Sequence, residues 1–99
     1  MTFRVQSEAD NEFAESALWY LMEEQTPQSA ERFEFEVTEA YRAIQKAPYR
    51  YPVNKKGLRA WPLKKFPFSI IYFIESDEIV VASIYHHKRS GSHLKSRIR

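Results

Sequence analysis

Apolar and polar positions change rhythm along the chain, and each change marks an element. Residues 3–7, FRVQS, alternate and predict a short strand. From Ser7 the rhythm lengthens. SEAD sets a serine three positions before an acid, a capping-box-like helix start with acids in the first turn. Ala14, Ala17, Leu18, Leu21 and Met22 then recur at helical spacing to about residue 24, and Trp19 and Tyr20 widen that face. A second helix opens in QTPQSAERF, where Thr26 suits the N-cap and Pro27 the first helical position, which needs no backbone N–H. Ala30, Phe33, Val37, Ala40, Tyr41 and Ile44 follow at spacings of 3, 4, 3, 1 and 3, the cleanest periodicity in the chain. The short EEQTP link folds the two helices into an antiparallel hairpin with its acids on the outer face.

KAPYRYPVNKKG, with two prolines, an asparagine and a glycine, reads as a loop. Three strands follow. LRAWPL contains Pro62, which suits an edge position. FPFSIIYFIE is dense in β-branched and aromatic residues, SD is a turn, and EIVVASIYHH is the last strand. The predicted fold is α+β in the order β-α-α-β-β-β. An N-terminal strand and an antiparallel helical hairpin pack on a small antiparallel β-meander, with a basic C-terminal tail, in one domain over residues 1–99. Ile70 to Ile74 are apolar without alternation, as in strands covered on both faces. The helix pair is one cover. The other face is either a partner surface or the seat of the tail.

Charge changes this picture. Residues 1–45 carry three arginines against ten carboxylates, whereas residues 46–99 carry twelve lysines and arginines against three. That asymmetry predicts an acidic surface and a basic one, the latter attracting an anionic partner in a salt-sensitive way. Acidic helices held over a basic sheet would show the same asymmetry. Cysteine is absent, which excludes a disulfide framework and thiolate chemistry. The N-terminal MTFRVQSEADNEF lacks the apolar stretch of a signal peptide, and FPFSIIYFI and IVVASIY are too short to span a bilayer as helices. The expectation is a cytoplasmic protein without a membrane partner.

Chemistry has few places to reside. There is no Gly-rich phosphate loop, with only Gly57 and Gly91 in the chain, and no Ser-His-acid pattern. His86, His87 and His93 lack a nearby acid or cysteine, so no metal and no cofactor is expected. What stands out is the basic set Lys55, Lys56, Arg59, Lys64, Lys65, Lys88, Arg89, Lys95, Arg97 and Arg99, interleaved with Tyr49, Tyr51, Trp61 and Tyr85. Cations that meet phosphates and flat rings that stack bases are the elements of single-stranded nucleic acid binding. A strand-end histidine beside arginine also suits metal-free RNA cleavage, in which a base activates the ribose 2′-OH and cations stabilise the phosphorane. Equally, such a histidine fills space or bonds a carbonyl.

The chain resembles the RelE/ParE superfamily of small bacterial toxins over nearly its whole length. SEADNEFAESALWYLMEEQTPQSAERFEFEVTEAYRAIQKAP is similar to that family's helical hairpin, and GLRAWPLKKFPFSIIYFIESDEIVVASIYHHKR to its sheet. Arg59 falls on the first-strand arginine, His86 and Arg89 on the C-terminal His-x-x-Arg pair, and Lys55 and Lys56 where ribosome-dependent members carry cations. Ser90, Gly91 and Leu94 depart from the usual acid, proline and tryptophan. The resemblance implies a toxin–antitoxin pair, in the setting of plasmid stabilisation and growth inhibition, with a cognate antitoxin as partner and a homodimer as a further possibility. ParE-like members act on DNA gyrase by binding, with Lys55, Lys56, Arg59, Lys64, Lys65, Lys88, Arg89 and Arg97 as the contact set here. RelE-like members cleave mRNA on the ribosome, with His86, Arg89 and Arg59 as the catalytic set. The helix hairpin tilts the resemblance toward ParE.

Overall fold

The computed structural model describes residues 1–23 and 27–88. Six elements follow in the order β1 (Thr2–Val5), α1 (Ser7–Glu23), α2 (Pro27–Lys46), β2 (Arg59–Pro62), β3 (Phe68–Glu75) and β4 (Glu78–His86). The order is the one the sequence pattern predicts. The strands form one sheet ordered β1-β4-β3-β2. β2, β3 and β4 make the antiparallel meander, and β1 lies parallel to β4, so the last strand is central and the first is an edge. The β3–β4 turn is two residues, Ser76 and Asp77, both at positive φ of 50° and 62°. That twist matches the flanking strands, which is why so short a hairpin closes. β2 forms the other edge. Leu63 donates its amide to the Phe68 carbonyl, so by alternation the amide that Pro62 lacks falls on the open side and costs no ladder bond.

The α2 stripe is core. Phe33, Val37 and Ile44 are fully buried, Ala30 and Ala40 nearly so, and Tyr41 is half-buried against Phe3 of β1 at 5.3 Å. Phe33 is the hub of an aromatic cluster, within 5.0–5.9 Å of Phe13, Tyr20, Phe66 and Phe68. Pro27 opens α2 as expected, while Thr26 lies outside the described residues.

α1 departs from the expected pattern in two ways. Ser7 is the first helical residue, and the Asp10 amide donates to the Gln6 carbonyl, so the helix begins a residue earlier than a Ser7 cap would place it. The larger correction concerns its faces. The side turned inward carries Ala9, Glu12, Phe13, Ser16, Ala17 and Tyr20, whereas Ala14, Leu18, Trp19, Leu21 and Met22 are exposed. Ala9, Ser16 and Ala17 let α1 approach the sheet closely, Phe13 and Tyr20 join the core, and Leu18, Trp19, Leu21 and Met22 are left on the outside.

The sheet also differs from one alternative. Ile71, Val80 and Ala82 are 6%, 1% and 0% exposed, so these strands present no open apolar face there. Among the described residues, no helix is long and apolar enough to cross a membrane.

Candidate functional site

Three features of the structure have the makings of a site. The first is a cation–aromatic cluster where the 47–58 loop meets β2. Asn54 organises the loop, its Oδ1 accepting from the Lys56 and Leu58 amides at 2.8 and 3.0 Å, with Gly57 at φ 80°. Tyr72 of β3, fully buried, donates its hydroxyl to the Pro48 carbonyl at 2.8 Å and pins the loop's start to the sheet. Burial raises the Tyr72 pKa, and the nearby Arg59 charge opposes that rise. Arg59 donates to the Tyr51 carbonyl and lies over the Tyr49 ring at 5.2 Å. Arg50 sits 5.8 and 5.6 Å from the Tyr51 and Trp61 ring centres, and those rings meet edge to face. Arg50 was absent from the sequence-derived set, although its place between two tyrosines in YRYP was a legible signal.

The second is a groove of about 700 Å³ between α2 and β2. Ala40, Ala43, Trp61 and Leu63 supply its apolar lining, and Glu36, Glu39, Arg50, Lys64 and Lys65 its charges. Glu36 accepts from the Lys64 and Lys65 amides at 3.1 and 3.3 Å, fixing the turn after β2. Both signs of charge share this rim, so acids and bases are not wholly segregated between helices and sheet.

The third is a cleft of about 420 Å³ where α1 crosses the ends of β3 and β4, lined by Glu15, Ser16, Trp19, Tyr20, Phe68 and His86. The His86 ring packs edge-on to Phe68 at 4.8 Å, and its Nδ1 accepts the Lys88 amide at 3.1 Å, which puts the ring proton on Nε2. His87 bonds Ser69 Oγ at 2.8 Å through Nε2, and its amide donates to the Pro67 carbonyl. Ser69 is buried, so this pair latches the end of β4 rather than presenting a nucleophile. Behind the cleft lies Glu12, 5% exposed, accepting from Ser83 Oγ at 3.0 Å and the Ile84 amide at 2.9 Å. The sequence reading placed this acid outside. The 9-12-13-16-17-20 spacing of small and aromatic residues was the signal that would have put it on the inner face.

Of the expected catalytic set only Arg59 and His86 lie among the described residues, and these two are not side by side. Arg59 pairs with Tyr72 and His86 with Phe68, four residues further along β3, and β2 and β4 flank β3 on opposite sides. At about 3.3 Å per residue and about 4.8 Å per strand, their Cα atoms lie roughly 16 Å apart. Their side chains are also committed apart, Arg59 to the 47–58 loop and His86 to the α1 cleft. Lys55, Lys56 and Arg59 occupy one end of the meander, and Lys64, Lys65 and Lys88 the other. Arg89, His93, Lys95, Arg97 and Arg99 lie outside the described residues. Among the described residues, no group of three His, Cys, Asp or Glu could hold a metal ion.

A four-stranded mixed sheet under a helical hairpin, in a chain with this order of elements, defines a small α+β protein. Residues 3–91 match the family model described as the ParE toxin of the type II toxin–antitoxin system, parDE, and the chain belongs to that family. In fold it is similar to a solved chromosomal ParDE toxin–antitoxin system from P. aeruginosa. That likeness has a TM-score of 0.76 at 19% sequence identity, over 87% of this chain and 95% of that one. No curated protein matches it in sequence.

Proposed function

We propose that this ParE-family chain arrests growth by binding DNA gyrase in the cytoplasm and is held inactive by a cognate antitoxin, as in plasmid stabilisation. The observation that carries a binding mode over a catalytic one is the register of the sheet, which separates Arg59 from His86 by two strands and four residues. A phosphorane needs its cation and its general acid–base within hydrogen-bond reach of one another's substrate atoms. The antitoxin seat that the chemistry favours is the α2–β2 groove, whose apolar lining and mixed rim suit an amphipathic segment. Lys55, Lys56, Arg59, Lys64, Lys65 and Lys88 are then contacts for the target, as are Arg89 and Arg97.

The test pairs two assays on the purified chain. Inhibition of gyrase supercoiling, relieved by the antitoxin, is the expected result. Ribosomes programmed with mRNA should yield no cut transcript with either the intact chain or His86→Ala. Cleavage by the intact chain that disappears in His86→Ala would replace the gyrase reading with the endonuclease one.

A further inference from the structure

The inverted α1 helix carries an inference of its own. Helices of soluble proteins turn their large apolar residues inward, and α2 does so except for Phe35. α1 instead buries Glu12 and Ser16 and leaves Leu18, Trp19, Leu21 and Met22 at 55%, 54%, 43% and 63% exposure. At 100° per residue these four cover one continuous arc, with Ala14 extending it a turn toward the N-terminus. Together they expose on the order of 400 Å², the size of the largest apolar patch on a typical monomer and often a functional one.

The surroundings of the arc say what fits it. Every charged residue of α1, Glu8, Asp10, Glu12, Glu15 and Glu23, is a carboxylate, and its last turn has no basic residue. A second copy docked arc to arc would set carboxylate against carboxylate. It would also bury only about half of the roughly 800 Å² per partner that stable complexes use. A lysine- or arginine-flanked helix avoids the like-charge juxtaposition, and the cleft beside the arc adds to the surface it covers. The arc also borders the cleft at the ends of β3 and β4, because Glu15 and Trp19 belong to both. Trp19 packs edge-on to Tyr20 at 5.1 Å, and its half-exposed indole lines that cleft. A basic side chain entering it meets an indole and the Glu15 carboxylate, a pairing suited to cation–π and charge-assisted contact.

We propose that the outward face of α1, with the cleft beside it, docks an amphipathic helix of another protein whose apolar stripe is flanked by lysine or arginine. This face shares no residue with the α2–β2 groove and selects the opposite charge to the one the basic half of the chain attracts. The inference stands on α1 alone and does not depend on the identity of the toxin's target.

The intact chain tests it by fluorescence anisotropy with a labelled 18-residue peptide carrying leucines at helical spacing and lysines elsewhere. Two controls are used: the same leucine pattern with glutamates, and a scrambled peptide of the lysine composition. The lysine peptide should bind at least tenfold more tightly than either, and weaken as salt rises. Leu18→Asp with Met22→Asp should reduce that binding at least tenfold while leaving the circular dichroism spectrum and the melting curve unchanged, because both residues are exposed. Glu15→Lys should weaken it severalfold. Binding equal to that of the scrambled peptide, or insensitive to the aspartate pair, overturns the proposal. So does a self-associated state in sedimentation that the aspartate pair dissolves, since the occupant is then a second copy.

Discussion

The buried Glu12 gives a measurable test of how α1 is tied to β4. Its Oε1 accepts from the Ser83 hydroxyl and the Ile84 amide in a site 5% open to solvent. A hydrogen bond contributes about 0.5–1.5 kcal/mol between neutral groups and about 1.5–3 kcal/mol with an ionised one, and a buried donor left unpaired costs about 1–3 kcal/mol. Glu12→Ala removes both and strands the Ile84 N–H, so its cost should be about 3–5 kcal/mol, a large share of the 5–15 kcal/mol that hold a domain folded. For a chain of this length that corresponds to a fall in Tm of about 15–25 °C. Glu12→Gln keeps an oxygen acceptor and should cost only about 1–2 kcal/mol. Ser83→Ala, which deletes one of the two bonds, should fall in the same range. Because the two residues share a bond, the double variant should be less destabilised than the sum, by about 1–2 kcal/mol. Urea denaturation followed by circular dichroism at constant pH and salt supplies all four values. If Glu12→Ala costs under about 1 kcal/mol, or the two single effects simply add, the carboxylate is not the tie described here.

Other expectations follow from single contacts. Tyr41 Oη is buried without a hydrogen-bond partner, so Tyr41→Phe should leave stability unchanged or raise it by up to about 1 kcal/mol in the same denaturation assay. Burial, then the Asp10 charge, raises the Tyr41 pKa. An unfolded tyrosine ionises near 10, so the unfolded chain holds fewer protons above that pH. The Tyr41 contribution is therefore complete below about pH 10 and lost as pH rises beyond it. Stability profiles from pH 8 to 11 should fall less steeply for Tyr41→Phe than for the parent, with the raised Tyr72 accounting for part of the remaining slope. In the β3–β4 turn, Ser76→Asn with Asp77→Gly should add about 0.5–1 kcal/mol. Both positions have positive φ, and Asn-Gly suits that geometry. A thermal melt that drops instead would mean that the Met1–Asp77 ion pair at 3.8 Å matters more than the turn.

How much of this was legible beforehand differs by element. The α2 stripe was readable because Ala30, Phe33, Val37, Ala40 and Ile44 recur at regular helical spacing, with Phe35 the one large apolar residue left outside it. The β2 edge was readable because Pro62 cannot donate to a ladder on both sides. α1 was misread in part because only Ala17 and Tyr20 of its predicted face are buried while Leu18, Trp19, Leu21 and Met22 are exposed, and periodicity follows residue size rather than direction. The candidate catalytic set was read from residue type and order, which carry no information about register. Arg50 was passed over although both its stacking partners, Tyr51 and Trp61, lie close by in the chain.

The sequence by itself determined the order of the elements, the inward stripe of α2, the edge position of β2, the tight turn and the family. Each of these is encoded locally, by spacing, by a residue's permitted dihedral angles, or by a motif run. Only the tertiary structure decided three things: that β1 joins β4 in parallel, that Glu12 is satisfied inside by a strand 71 residues away, and that Arg59 and His86 stand two strands and four residues apart in the meander. Such facts depend on which distant segments meet and in what register, and no local pattern specifies that.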